Sequence, residues 1–259
     1  MHRSLVTLAS AAVSVSLVLA AWAWVALATV AQASPIPGPW TTLPLLVDML
    51  AHPFDKSTPW GMGIGWLMLN SLGTVFAGFG LGSLFAIPVG ILMGTNEAFR
   101  RIVNPIAQVL RPVSPLAWLP LAMVGLQSSA GAAVFTIFIT SLWPTLINTA
   151  FGVGSLPQDY RTLAAVYRFS PVRYLSQVVL PYALPSILTG LRLSLGIAWM
   201  VIVAAEMLSG APGIGFFVWD TYNGGNLDAV VASILLIGTI GLILDRFMDL
   251  LVRRFSHGA

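Results

Sequence analysis

Apolar runs long enough to cross a lipid bilayer recur from one end of this chain to the other, and that pattern restricts the fold more than any other feature. The runs are Leu5–Val30, the stretch within Trp60–Met93, Pro105–Leu126, Ala130–Phe151, Leu184–Leu208 and Ala229–Leu251. A transmembrane helix needs roughly 20 consecutive apolar residues. Only 8% of the 259 residues are charged, and the mean hydropathy is +0.88. A soluble domain carries about 25% charged residues, so this chain cannot cover a water-facing surface. The runs predict an all-α integral membrane protein with six transmembrane helices.

Ala31-Gln-Ala33 mimics a signal-peptidase site. The run before it exceeds the ~7–15 residues of a signal h-region, which predicts an uncleaved first helix. Residues 1–60 read as that helix and an extracytoplasmic loop, with Leu45–Leu50 a short amphipathic piece. Residues 61–259 read as a core of five further spans. Gly78-x3-Gly82 and Gly90-x3-Gly94 in the second run are small-residue pairs that let helices approach closely. Pro112, Pro115 and Pro120 interrupt the third run, as a broken helix lining protein or water would allow.

Under six spans, Arg3, Arg100, Arg101, Arg161, Arg168, Arg173, Arg253 and Arg254 share one side, and Lys56 lies opposite. The positive-inside rule then places both termini in the cytoplasm. No basic face interleaved with aromatics points to nucleic acid. Cysteine is absent, and His2, His52 and His257 are scattered, so no metal cluster is expected.

The most polar stretch runs from Ser155 to Pro185 and predicts two short amphipathic helices. Ser155 and Gln158 fit a capping box. Tyr160, Leu163, Ala164 and Tyr167 form one apolar face. Ser170-Pro171 starts the second helix, and Leu180-Pro181 with Pro185 ends it. Aligned from Leu180-Pro181, the stretch resembles the cytoplasmic loop of binding-protein-dependent ABC importer permeases, Glu-Ala-Ala-x3-Gly-x9-Ile-x-Leu-Pro. Thr162 takes the Glu position, Leu163 and Ala164 the two Ala positions, Arg168 the Gly position and Val178 the Ile position. The resemblance extends from about Asn70 to Arg254. It is nearest to the nitrate/sulfonate/taurine branch, through Val203-Ala-Ala-Glu-Met-Leu208. Arg161–Ser170 and Gly213-Ile-Gly-Phe-Phe-Val-Trp-Asp220 are most like nitrate permeases.

That resemblance implies a type I ABC importer-like fold with a cytoplasmic coupling-helix loop. It implies a permease for a small anion, with nitrate first and nitrite, cyanate, bicarbonate, sulfonate or taurine beside it. Its partners would be cytoplasmic ABC ATPase subunits, an extracytoplasmic substrate-binding protein, a second permease copy and membrane lipid. Thr162, Leu163, Ala164, Arg168, Val178, Leu180 and Pro181 would then couple to the ATPase, with Ala164 on the contact face; the alternative is a helix resting on headgroups. ATP would be bound by the partner, since Gly-x4-Gly-Lys-[Ser/Thr] is absent and Lys56 is the only lysine. The chain itself is expected to need no cofactor and to be no enzyme. A stand-alone secondary carrier is the rival class, but no inverted repeat is visible.

Six residues are candidates for the translocation pathway. Arg111 and Arg192 would attract an anion, or snorkel to headgroups. Trp118, Asn148 and Trp199 fall on spans that the resemblance places near the dimer axis, and packing explains each as well. Glu206 is the one carboxylate in the fifth run, and such a group usually faces the bundle interior. It could line a pathway or bond to backbone or Arg near the interface. Asp245 and Asp249 are expected to pair with Arg246 or Arg253. Trp219 and Tyr222 suit a membrane interface or a binding-protein contact.

Overall fold

The computed structural model describes residues 2–31, 35–55 and 61–256, with side chains from Val13 to Phe255. Lys56, His257 and the Gln32–Ser34 part of the cleavage-like site lie outside the described residues, as do the side chains of His2 and Arg3. The described chain is helical. Helix α1 spans His2–Thr29, α2 Pro39–Ala51, α3 Ile64–Thr95 and α4 Glu97–Leu110. A 3-10 turn, Pro115–Trp118, leads into α5, Leu119–Leu126. Then come α6 Ser129–Gly154, α7 Gln158–Val166, α8 Pro171–Tyr174, a π-helical segment Leu175–Val179, α9 Leu180–Ser209, α10 Ile214–Asn223 and α11 Leu227–Ser256.

The six expected spanning helices are not found among the described residues. Among the described residues four helices are long and apolar enough to cross a membrane: Ile64–Thr95, Ser129–Gly154, Pro171–Ser209 and Leu227–Phe255. The count rises to five if α4 and the Pro115–Leu126 pair form one span, bent by 88°. The first expected span is not among these four; the part of α1 with described side chains is the apolar stretch Val13–Thr29. The third fails as a straight helix at Arg111–Ser114. Pro112 and Pro115 lack an N–H, and each disfavours the helical conformation in the residue before it. Ser114 is accordingly off the helical region, at φ −57°, ψ 128°. Pro105, the expected start of that span, lies inside α4.

The chain forms two compact units, Met1–Trp66 with Phe217–Ile237 and Leu67–Phe216 with Gly238–Ala259. In the first, the indole Nε1 of Trp22 donates to the Pro37 carbonyl at 2.8 Å, and the Thr29 hydroxyl accepts from the Ile36 N–H at 3.0 Å. Phe54 and Trp66 meet edge to face at 5.3 Å. Helix α2 includes Leu45–Leu50 but begins earlier and runs through Pro44.

The second unit is built on close helix approaches. A Cβ on Gly78 would meet Ile137, on Gly82 Ser141, on Gly90 Thr149 and on Gly94 Val153, at 2.5–3.0 Å from the nearest side-chain atom. The expected small-residue stripe of α3 therefore lies directly on α6. Helix α6 also packs α9, where Gly152 faces Ser186 and Gly190 faces Asn148. Buried hydroxyls bind this second seam. The Ser194 hydroxyl donates to the Ser141 carbonyl at 2.7 Å, so its 2.7 Å contact with Thr145 must be a bond donated by Thr145.

Helix α9 does not begin afresh after a break. The helix expected to end at Leu180-Pro181 instead continues from Pro171 to Ser209. Pro181 has no N–H for the Gln177 carbonyl, and its ring would crowd that oxygen in a regular helix. The wider π turn over Leu175–Val179 accommodates the mismatch. The connecting loop is thereby fused to a spanning helix.

Candidate functional site

The loop between α6 and α9 is the most distinctive surface of the second unit. Ser155 does not cap α7, as the sequence suggests. It ends α6, where its N–H bonds the Phe151 carbonyl at 2.9 Å and its hydroxyl the Gly152 carbonyl at 2.9 Å. Helix α7 has Pro157 at its N-cap and no side-chain cap. Ser170 does cap α8, accepting from the Arg173 N–H at 3.3 Å.

The exit from α7 explains one motif position. The Phe169 N–H bonds the Ala164 carbonyl at 2.9 Å and the Arg168 N–H the Ala165 carbonyl at 3.0 Å. This is a Schellman termination, which requires a left-handed residue. Arg168 supplies it, with φ +47°. The family glycine position is thus a backbone requirement, met here by an arginine.

The apolar face of α7 is split. Ala164 is buried, 8% exposed, and lines a cavity of about 450 Å³ with Val153, Leu156 and Phe169. It also lines the groove beside Leu163 and Tyr167, so it sits at the inner edge of the face on which periodicity puts it. Leu163 is 53% exposed, and Val166 and Tyr167 are each 70% exposed. Thr162 is exposed, its hydroxyl donating to the Gln158 carbonyl. Tyr160 and Val172 extend the bare apolar surface. Val166 and Val172 escape a motif alignment because neither occupies a motif position. A groove of about 680 Å³ runs beside this face, lined by Leu163, Tyr167, Val178, Pro181, Tyr182 and Phe255 among others. Leu180 is half-buried at the start of α9.

Of the six pathway candidates, Arg192 and Trp199 line one cavity of about 210 Å³ with Asp245 and Met248. Arg192 is held by carboxylates: Nε and Nη2 donate to Asp245 at 2.9 Å each, and Nη1 donates to Asp249 at 2.6 Å. Asp249 also pairs with Arg253 at 2.8 Å, as expected, while Asp245 takes Arg192. Trp199 is buried beneath Gly241, whose Cβ would lie 3.1 Å from the indole. Asn148 donates to the Pro144 carbonyl of its own helix at 2.8 Å. Trp118 is half-buried in the 3-10 turn, and Arg111 is exposed at the break after α4.

Glu206 is 1% exposed. Its Oε2 accepts from the Ser71 hydroxyl and from the Gly215 N–H, both at 2.9 Å. Ser71 in turn accepts from the Ile214 N–H at 2.9 Å. The carboxylate therefore sits at the N-terminus of α10, where backbone N–H groups lack helical partners. Gly213 has no room for a side chain, since a Cβ there would strike the Glu206 carboxyl. Gly215 abuts the Val203 carbonyl in the same way. Ser71 carries no sequence signal that marks it as the partner.

Several helices long enough to span, glycine-spaced seams and an exposed apolar loop fused to one of those helices define a multi-pass membrane protein. Residues 86–257 match the family described as the binding-protein-dependent transport system inner membrane component, and the chain belongs to that family. Members are non-catalytic permease subunits that work with a separate ATPase, so the chain is a translocation subunit and not an enzyme. It is 44% identical over 224 residues to the bicarbonate transport system permease protein CmpB of Synechococcus elongatus, covering 85% of this chain and 81% of that one. It is 40% identical over 220 residues to the nitrate import permease protein NrtB of Synechocystis, covering 85% and 80%. A chain of the MetNI methionine ABC transporter, solved in inward-facing conformations, superposes with a TM-score of 0.65 at 19% identity. That superposition covers 73% of this chain and 96% of the other, and it shows the same fold.

Proposed function

We propose that this chain is the inner-membrane permease subunit of an ABC importer for a small anion, with nitrate as the first substrate. It works with cytoplasmic ATPase subunits, an extracytoplasmic substrate-binding protein and a second permease copy. The observation that carries the coupling role is the bare apolar face of Leu163, Val166, Tyr167 and Val172, attached without a break to the spanning helix Pro171–Ser209. Apolar surface of that kind is stabilised by a partner. Thr162 borders the face, Ala164 and Arg168 shape it from behind, and Val178, Leu180 and Pro181 carry its movement into α9. Residues 61–259 act as the permease core, preceded by an N-terminal segment over 1–60. The loop and the C-terminal arginines lie in the cytoplasm.

Nitrate and bicarbonate are both small planar monoanions, and the chain is 40–44% identical to permeases named for each. The likeness of Gly213–Asp220 to nitrate permeases favours nitrate. The somewhat higher identity to CmpB is the observation for bicarbonate as the second reading. Uptake by cells with and without this chain separates them. Loss of high-affinity nitrate uptake with taurine uptake intact is expected. Loss of bicarbonate uptake alone would replace nitrate by bicarbonate, and loss of taurine uptake alone would overturn both.

A further inference from the structure

At Glu206, three helices meet through one oxygen atom. Ser71 of α3 has a single hydroxyl proton, which it gives to Glu206 Oε2 while accepting the Ile214 N–H. Gly215 donates directly to the same oxygen. Two N–H groups at the start of α10 therefore end, directly or through Ser71, on a side chain of α9. Gly213 and Gly215 bring no side chain between them.

The second observation is the other oxygen. Glu206 Oε1 is buried and has no hydrogen-bond partner, and among the described residues no cation pairs with this carboxylate. A buried acceptor left unmet costs free energy that a met one does not. The closed arrangement therefore leaves the carboxyl short of its best bonding. A shift that brings a donor to Oε1 compensates for bonds lost at Oε2.

We propose that Glu206 is a positioning residue: with Ser71 it forms a latch that pins the first turn of α10 to α3 and α9, and the latch opens during each transport cycle. The Glu206 carboxyl holds backbone and does not meet the anion. Opening during transport rests on the import function proposed above; the closed latch does not.

Because the chain has no cysteine, a single thiol reports on the latch. Ile214 is fully buried, so Ile214→Cys in otherwise unchanged transporter should react slowly with a small methanethiosulfonate reagent in resting membranes. Adding Glu206→Ala should speed labelling at least tenfold and abolish uptake. Adding Glu206→Gln, which keeps an acceptor for Ser71 and Gly215, should restore protection and most of the uptake. Ser71→Ala should give intermediate labelling, and it serves if Glu206→Ala fails to insert. During ATP turnover the thiol should react faster than at rest. Labelling in Glu206→Ala or Ser71→Ala as slow as in the parent would overturn the latch. So would a Glu206→Gln protein that stays protected but does not transport, since a charge in the path would then be the role. Equal labelling at rest and in turnover would overturn the opening step. A chain with no ATP-dependent uptake would count against the import function, while the resting-state comparison still tests the latch.

Discussion

Two residues of α7 that lie two positions apart have opposite surroundings, as residues at i and i+2 of a helix do not share a face. Ala164 faces Val153 and Leu156, whereas Val166 points away from the chain. Ala164→Asp would put a charge into the protein's own interior and damage the loop before any partner is involved. Val166→Asp adds a charge only to the bare face, so it isolates docking. If the ATPase buries that face, an unpaired charge there costs about 3–5 kcal/mol. Each ~1.4 kcal/mol is a factor of ten. Val166→Asp should therefore insert and assemble normally but lose its ATPase by at least tenfold in pull-down from solubilised membranes, with transport lost in parallel. Retention of the ATPase at parental levels would reduce α7 to an element that rests on headgroups. Arg168 shows the converse case of a residue whose role is backbone geometry. Its left-handed φ of +47° closes the Schellman turn, a conformation in which glycine is at ease and an arginine is not.

At the scale of the helix, spacing carried more than identity. The Gly-x3-Gly pairs of α3 announce a close approach because small residues leave few other uses for that pattern, and α6 occupies the approach. Gly190, at the centre of Ser186-x3-Gly190-x3-Ser194, does the same for α9 against α6. Its Cβ would lie 2.8 Å from that of Asn148 and 3.1 Å from the Pro144 carbonyl. Gly73 of α3 has nothing within 4 Å. Alanine favours a helix over glycine by about 1 kcal/mol, so Gly73→Ala should hold or raise the melting temperature in detergent. Gly190→Ala meets overpacking of about 1–3 kcal/mol and should lower it; a rise equal to that of Gly73→Ala would show that the seam is loose. The proline cluster after α4 likewise signals a break. The 88° angle depends on how α4 packs Phe99 and Val103 on Ala86, Met93 and Leu146, contacts that no local pattern encodes. Leu180-Pro181 misleads for a related reason: proline stops an α-helix, but a π turn upstream carries the helix past it. The partner of Glu206 was illegible because Ser71 is 135 positions away.

For the molecule as a whole, the arginines decide what the bent pair does. Arg100 and Arg101 follow α3, and Arg161, Arg168 and Arg173 follow α6. Helix α6 is long and apolar enough to cross the membrane once. Both arginine groups can lie in the cytoplasm only if the chain crosses once more between Thr95 and Ser129, and α4 with Pro115–Leu126 is all that lies there. At ~1.5 Å per residue, α4 is ~21 Å long. The 3-10 turn and α5 together add ~20 Å. Joined at 88°, these arms span about 29 Å, close to the ~30 Å hydrocarbon core. A diagonal crossing is therefore geometrically sufficient. The polar residues of α4, from Arg100 through Asn104 and Gln108 to Arg111, are exposed in the chain, and lipid is a poor solvent for them. They suit the water-filled or subunit-facing side of such a crossing. The alternative, a re-entrant pair, would send the arginines after α6 to the opposite face against the positive-inside rule. Single cysteines in this cysteine-free chain distinguish the two. Gln127→Cys, at the exposed turn between α5 and α6, should react with a membrane-impermeant maleimide from outside intact cells. Arg168→Cys should react only in inside-out vesicles. If both react from one face alone, α6 does not cross between them. If they react from opposite faces in the reverse sense, the bent pair is re-entrant and α7 faces outward, away from ATP.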